Sequence, residues 1–320
     1  MRSFYLLLFA ICLLLFSCSK GVKPIAATCE TTILGYRTVY DTTSLSPANP
    51  LAEWGTISAK TATMSRIVYI RNTPTFNQGI YHTGNMCYYT FRNNSDTDVA
   101  ILYRIRPDGM VTELKDSLSG FKYDGLVFNK TMQKVYAFKS IYGASNDWLC
   151  EITTDSGKFM SRKIVAGIGR STTNAAINAT IDNSTGNIYY SVTTNKVTTL
   201  VKIDPEKAVL SEIFSKKAPY NMYGLCFNGK DNRMYCVVQD TSGIHFATIT
   251  TGGTVTKLDT LAIPSALQFS SAMIDECRDE YIFTGNTSND AGYLLRMNMT
   301  GQQLSRLMTD QIFQGLTPMR

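Results

Sequence analysis

The histidines and cysteines restrict the chemistry of this chain most strongly. There are only two histidines, His82 and His245, and they lie far apart in the sequence. The eight cysteines include no CxxC pair. A zinc site, a Ser–His–Asp set or a Cys–His pair needs such groups in converging positions. The sequence therefore predicts none of these sites. His82 is expected to be a buried core histidine, and His245 is interpreted as structural.

Asp124 and His82 are the candidates for an enzymatic role. An enzyme acting on a carbohydrate or a lactone would use Asp124 as its carboxylate and His82 as a general base. A hard divalent cation takes several oxygen ligands, usually from two or more carboxylates. Asp124 is the single carboxylate among the residues that are expected to face a ligand. No catalytic set, metal or cofactor is therefore predicted.

The composition is that of a folded globular chain. Its 320 residues are 44% hydrophobic and 18% charged, which is enough to form a large core and too apolar for a disordered chain. The net charge of +6 is spread without a basic run. Nucleic acid is therefore not a predicted partner.

A repeat of about 48 residues organises the chain after residue 30. Each repeat starts with a short apolar stretch, an Asn or Asp and a polar turn. The turn leads to a slot filled by Tyr88, Tyr136, Tyr189, Tyr235 and Ile282. A second unit follows, anchored by Ile105, Ile152, Ile203, Ile249 and Met297. Two such units make four strands, which indicates a propeller blade.

The ends of the chain predict how the ring of blades closes. A step of 48 residues back from Tyr88 reaches Tyr40, so residues 34–71 supply three outer strands of a further blade. The segment 313–316 resembles the start of the repeat and supplies the missing first strand. We therefore predict an all-β, six-bladed β-propeller with four antiparallel strands per blade. Its last blade combines N- and C-terminal strands, which leaves no unpaired sheet edge.

Four repeated polar residues are predicted to cap turns. Asn129, Asp182, Asn228 and Asp275 each lie where the first strand of a repeat enters its hairpin. A ring of ligands is the alternative interpretation, but Asx side chains commonly bind their own backbone in such turns. The tyrosine slot is likewise predicted to pack between blades.

The predicted ligand-binding surface is the face on which the outer strand of one blade leads to the inner strand of the next. Propellers bind ligands at the mouth of the central channel, which these loops surround. Aromatic and amide side chains dominate there and suit a glycan or a peptide. The candidate residues are Phe76, Tyr123, Asp124, Arg170, Tyr220, Tyr223, Phe269, Phe313 and Gln314.

Cys226 and Cys236 lie across one predicted hairpin. In an oxidising compartment they are the candidate pair for a cross-strand disulfide. The alternative role for the cysteines is that of small buried hydrophobic residues.

The first residues resemble the leader of a bacterial lipoprotein. Arg2 precedes an apolar run over residues 4–16, which is too short for a membrane span of about 20 residues. The run ends in Leu15-Phe16-Ser17-Cys18, which resembles a lipobox. The resemblance implies a cleaved signal peptide and a Cys18 that carries palmitate-type chains. An ordinary secretory signal peptide is the alternative.

This resemblance implies a domain order and a location. Residues 1–17 are the signal peptide, 18–30 a lipidated tether and 31–320 the propeller. Lys20 stands where some bacteria place an aspartate that retains lipoproteins at the inner membrane. The outer membrane is therefore expected, and the periplasmic and surface-facing sides remain alternatives.

The blade pattern lacks the Trp-Asp of WD40 blades and the double glycine of kelch blades. It is similar to the six-bladed propellers of the NHL, TolB-like and gluconolactonase-like kind, which include lipoproteins of Bacteroidota. The leading hypothesis is a non-enzymatic binding or scaffolding subunit of an outer-membrane complex for transport or export. The alternatives are the carbohydrate- or lactone-directed enzyme and a glycan- or peptide-binding lipoprotein of an uptake system.

Overall fold

The computed structural model describes most of the chain after residue 30. The described residues are 31–40, 50–70, 78–94, 99–115, 121–141, 146–154, 158–169, 178–194, 196–263, 268–286, 292–309 and 312–319. They belong to one compact unit, Thr31–Arg320. All their regular secondary structure is β-strand. No helix among them is long and apolar enough to cross a membrane.

The strands follow the repeat along the chain. They are β1 (Ile33–Tyr40), β2 (Pro50–Ser58), β3 (Thr63–Ile70), β4 (Gly79–His82), β5 (Cys87–Asn94), β6 (Val99–Ile105), β7 (Val111–Lys115), β8 (Phe121–Asn129), β9 (Lys134–Ile141), β10 (Asn146–Thr153), β11 (Lys158–Gly169), β12 (Asn178–Ile181), β13 (Ile188–Thr194), β14 (Val197–Asp204), β15 (Val209–Lys217), β16 (Asn221–Asn228), β17 (Arg233–Asp240), β18 (Gly243–Thr250), β19 (Val255–Thr260), β20 (Gln268–Asp275), β21 (Glu280–Asn286), β22 (Gly292–Asn298), β23 (Gln303–Thr309) and β24 (Phe313–Pro318).

These strands form six sheets of four antiparallel strands, which are the six blades of a β-propeller. Blades 1 to 5 are β4–β7, β8–β11, β12–β15, β16–β19 and β20–β23. Blade 6 has the order β24-β1-β2-β3, and Ile33 pairs with Pro318 across the closing ladder. The predicted fold and the predicted closure of the last blade are confirmed.

The core lies between neighbouring blades. Antiparallel strands expose alternate side chains on their two faces, and the two faces of a blade pack against the two neighbouring blades. Phe138 of blade 2 stacks on Tyr190 of blade 3 with ring centroids 4.1 Å apart. Tyr189 stacks in turn on Phe227 of blade 4 at 5.6 Å. The tyrosine slot therefore packs between blades, as the sequence predicts.

Glycines let the inner strands approach their neighbours. Gly125, Gly224 and Gly315 have φ of +64°, +63° and +59°, and each lies at an irregularity in the pairing of its strand. The Gly224 carbonyl accepts a 2.6 Å hydrogen bond from the Tyr281 hydroxyl of the next blade. The Gly315 carbonyl accepts one of 2.9 Å from Tyr88. The C-terminal strand thus repeats the geometry of an internal inner strand.

The repeated Asn and Asp residues are turn caps. All four are buried. The side chain of Asn228 accepts from the Lys230 amide at 3.1 Å, and that of Asn129 accepts from the Met132 amide at 2.9 Å. The other two side chains, Asp182 and Asp275, accept amides two residues further on. The predicted structural role of these residues is confirmed.

Candidate functional site

The inner strands of all six blades surround a central cavity of about 210 Å³. Equivalent positions of these strands supply its apolar wall, namely Ile80, Leu126, Ala179, Leu225, Ala272 and Leu316. The cavity also touches Lys130 and Asn183 at one end of the inner strands and Gln78 and Phe269 at the other. The lining thus runs from one end of the channel to the other.

The two ends of the channel differ in the connections around them. We call the end with the β4–β5 and equivalent hairpins the hairpin face. The loop face carries the connections from each outer strand to the next inner strand, such as β15 to β16. Polar contacts join hairpins of adjacent blades on the hairpin face. The Lys130 amide donates to the Asn183 side chain at 2.7 Å, and Lys230 forms an ion pair with Asp279 at 2.6 Å.

On the loop face, an aromatic pair stands at the channel mouth. The rings of Tyr223 and Phe269 are stacked with centroids 4.1 Å apart. The Tyr223 hydroxyl donates to the Gln239 side-chain oxygen at 3.4 Å. Burial raises the pKa of Tyr223 above its usual value. Both rings are only half-buried, and Phe269 lines the cavity with its neighbour Ser270.

Tyr220 packs in the core between blades 3 and 4. The residue is 7% exposed, and the Lys216 ammonium lies 4.7 Å from its ring centroid, a cation–π contact. Its backbone carbonyl accepts a 2.7 Å hydrogen bond from the Thr198 hydroxyl. Tyr220 thus fixes the loop that leads to Tyr223 and presents little surface of its own.

The remaining residues of the predicted ligand-binding surface differ in burial, and several lie outside the described residues. Phe313 is 2% exposed, and its carbonyl accepts a 2.6 Å hydrogen bond from Thr284. Gln314 is half-buried in β24. Tyr123 and Asp124 lie in β8, but their side chains are outside the described part of the chain. Phe76 and Arg170, and the proposed lipidation site Cys18, also lie outside the described residues.

His82 is packed between blades 1 and 2. It is 5% exposed, and its ring centroid lies 4.4 Å from that of Phe128. Its Nδ1 accepts a long hydrogen bond of 3.4 Å from the Asn85 amide. His82 is not among the cavity-lining residues, so the structure places it as a core histidine.

His245 belongs to a polar cluster that sequence reasoning missed. The Ser242 hydroxyl lies 2.8 Å from His245 Nε2 and 2.7 Å from both Asp240 and Lys257. Asp240 can only accept and Lys257 can only donate, so Ser242 gives its proton to Asp240. His245 is then a second donor to Ser242 and not the proton acceptor that a nucleophilic serine requires. The cluster closes a turn and joins it to β19.

The candidate disulfide does not form in the structure, where Cys226 and Cys236 are both free. Cys226 packs in the core between blades 4 and 5, whereas Cys236 packs in the core between blades 3 and 4. The two thiols therefore lie on opposite faces of one sheet. Cys277 is disulfide-bonded, and its partner lies outside the described residues.

Among the described residues, no three His, Cys, Asp or Glu side chains are close enough to hold a metal ion. Several of the described carboxylates have local partners instead. Asp275, for example, accepts a 2.5 Å hydrogen bond from Thr31 and lies 3.8 Å from Arg278.

Comparisons with known proteins bear on the fold. No family model and no curated protein matches the sequence. Solved structures do match. The chain is 11% identical to a chain of a nidogen/laminin complex, covering 91% of this chain and 99% of that one with a TM-score of 0.61. With TolB from Acinetobacter baumannii it shares 10% identity over 90% of this chain and 66% of that one, with a TM-score of 0.64.

A gluconolactonase from Xanthomonas campestris, XC5397, is also similar. It is 11% identical over 90% of both chains, with a TM-score of 0.53. Identities this low show the fold alone. The chain has the fold of a six-bladed β-propeller with TolB-like and gluconolactonase-like structural neighbours.

Proposed function

We propose that the protein is a non-enzymatic, lipid-anchored propeller that binds a protein partner at its loop face. It acts as a binding or scaffolding subunit of an outer-membrane complex for transport or export. The observation that carries this proposal is the stacked pair Tyr223 and Phe269 at the channel mouth.

The pair has the properties of an interface anchor. Aromatic residues are enriched at interfaces because a rigid ring covers a large area at a small entropic cost. Phe283 lies beside Phe269 with ring centroids 5.9 Å apart, and Gln239 orients the Tyr223 hydroxyl. Both rings are therefore held in place before a partner arrives, which lowers the entropic cost of binding.

The fold itself does not decide between binding and catalysis. The similar structures include a complex of nidogen with laminin and a gluconolactonase. The arrangement of the described side chains favours binding. His82 is packed away from the cavity, and Ser242 has its proton directed at Asp240.

The leader supports the membrane part of the proposal. A lipobox-like sequence ending in Cys18 is expected to anchor the chain by lipid, and Lys20 favours the outer membrane. A lipid anchor of this kind would keep the propeller at the membrane, which suits an accessory subunit.

Partner capture from detergent-extracted envelopes of the native host tests the proposal. The double variant Tyr223→Ala/Phe269→Ala should lose the captured protein. Tyr69→Ala is the matched control, since Tyr69 is a 43% exposed ring on β3, the outermost strand of blade 6. Circular dichroism should show that both variants remain folded. Capture that is unaffected by the double variant would contradict the proposal.

The enzymatic alternative has its own test. Hydrolysis of a sugar lactone by the wild-type protein, abolished in Asp124→Asn and His82→Gln, would overturn the non-enzymatic role. We expect no turnover above the rate in buffer.

A further inference from the structure

Three lysines stand together at the loop-face end of blade 3. Lys196 is in the turn between β13 and β14, and Lys216 and Lys217 end the outermost strand β15. Val197 pairs directly with Lys217 in the ladder, so Lys196 and Lys217 are neighbours. All three lysines are exposed. We call them the lysine patch.

The charge of the lysine patch is not balanced by described carboxylates. Other lysines of the protein form ion pairs, such as Lys257 with Asp240 at 2.7 Å and Lys134 with Glu206 at 2.8 Å. No ion pair within the described residues involves a lysine of the patch. Three adjacent positive charges repel one another, and an anionic ligand would relieve this repulsion.

The lysine patch and the aromatic pair belong to one connection. The chain runs from Lys217 through Tyr220 to Tyr223, a path of at most about 20 Å for six residues. The Ala218 amide donates to the Lys196 carbonyl at 2.6 Å, which ties the turn to this connection. Lys216 in turn rests on the Tyr220 ring. These contacts hold the lysine patch at a fixed position relative to the channel mouth.

We infer that the partner segment docking at the channel mouth is an acidic polypeptide. This inference rests on the proposed function. The segment places an apolar side chain on the Tyr223–Phe269 pair and carboxylates on the lysine patch. Carboxylates at intervals of a few residues along an extended chain match the length of the connection.

The charges on the loop face and the burial of the aromatic pair favour a peptide over an anionic membrane. A flat bilayer surface favours positive charge spread over a broad face. Here the neighbouring blade 4 presents Asp240 and Asp259 on the same face, and the aromatic pair is half-buried at the channel mouth. A narrow chain can reach that pair from the lysine patch, whereas a bilayer surface cannot.

Binding of fluorescein-labelled decaglutamate by the full chain tests the inference. The variant Lys216→Glu/Lys217→Glu should weaken binding on the order of tenfold at low salt, since loop-face charges guide association. The control Lys60→Glu/Lys207→Glu makes the same charge change in exposed turns of the hairpin face and should leave binding unchanged. Equal loss in both variants would overturn the inference. So would binding to phosphatidylglycerol vesicles that depends on Lys216 and Lys217.

The same variant separates this inference from the proposed function. Loss of the envelope partner in Lys216→Glu/Lys217→Glu as well as in Tyr223→Ala/Phe269→Ala supports both. Loss in the aromatic variant alone refutes the acidic segment and leaves the proposed function standing. Retention in both variants refutes both.

Discussion

Gly224 is the position at which one added methyl group should disturb the inner ring most clearly. It has φ of +63°, and a Cβ atom there would lie 2.4 Å from the Tyr281 hydroxyl and 2.8 Å from Ala272 Cβ. Tyr281 is fully buried and donates to the Gly224 carbonyl. Gly224→Ala therefore strains the backbone, displaces a buried ring and weakens a contact between blades 4 and 5.

Three terms set the size of the effect. Alanine in the left-handed region costs about 1–2 kcal/mol. Loss of the hydrogen bond costs about 1 kcal/mol, and displacement of a close-packed ring costs about 1–3 kcal/mol. The free energy of unfolding should fall by about 3–6 kcal/mol, against a total of about 5–15 kcal/mol for typical proteins.

Thermal unfolding followed by circular dichroism measures this loss. The midpoint should fall by about 5–10 °C, at roughly 1.6 °C per kcal/mol for a folded unit of this size. Gly229→Ala in the adjacent hairpin is the matched control, because no atom lies within 4 Å of its added Cβ. It should shift stability by less than about 0.5 kcal/mol.

A double variant identifies the source of the strain. Tyr281→Phe removes the hydroxyl that the new methyl group would meet. Gly224→Ala/Tyr281→Phe should therefore lose less stability than the sum of the two single variants. Equal stability of Gly224→Ala and Gly229→Ala, or full additivity in the double variant, would refute this account of the inner strand.

Acid, thiol reagents and removal of the lipidation site each have a defined outcome. Burial raises the pKa of Asp182, but the Ser184 and Thr185 donors outweigh it and hold the pKa below its usual value. The ionised Asp182 side chain therefore stabilises the folded state above about pH 4, and this contribution is lost at lower pH. As the pH falls, the urea midpoint of Asp182→Asn should decrease less steeply than that of the wild-type protein. Cys236 is fully buried, which raises its pKa, so a thiol reagent at pH 8 should label it only after unfolding. Cys18→Ser should release the protein from membrane fractions and remove a lipid mass increment, and a membrane-bound variant without that increment would contradict the anchor.

The closed ring of blades could be predicted because the apolar anchor residues recur at a regular spacing in the sequence. The anchors Ile105, Ile152, Ile203, Ile249 and Met297 are all buried in the structure. Few folds consist of repeated four-stranded units, and the strands that remain at the two ends of the chain complete one further blade. The turn caps follow from local chemistry and could be predicted for the same reason.

The contacts between strands distant in sequence could not be predicted in the same way. Cys226 and Cys236 are near in the hairpin, but Cys226 faces Tyr235 in the ladder, and the next residue along points to the other face of the sheet. The alternation therefore separates the thiols. The cluster around Ser242 joins a turn to β19 through Lys257. The spacing of these residues in the sequence does not predict this contact.

The pairing of β24 with β1 also determines what happens when the ring comes apart. Separation there would uncover two complementary backbone edges on each molecule. The C-terminal strand of one copy could then pair with β1 of another copy, and this exchange competes with closure of the same chain when the protein is concentrated. Concentrated or heated samples should therefore form domain-swapped dimers, joined through blade 6 and otherwise native in each subunit.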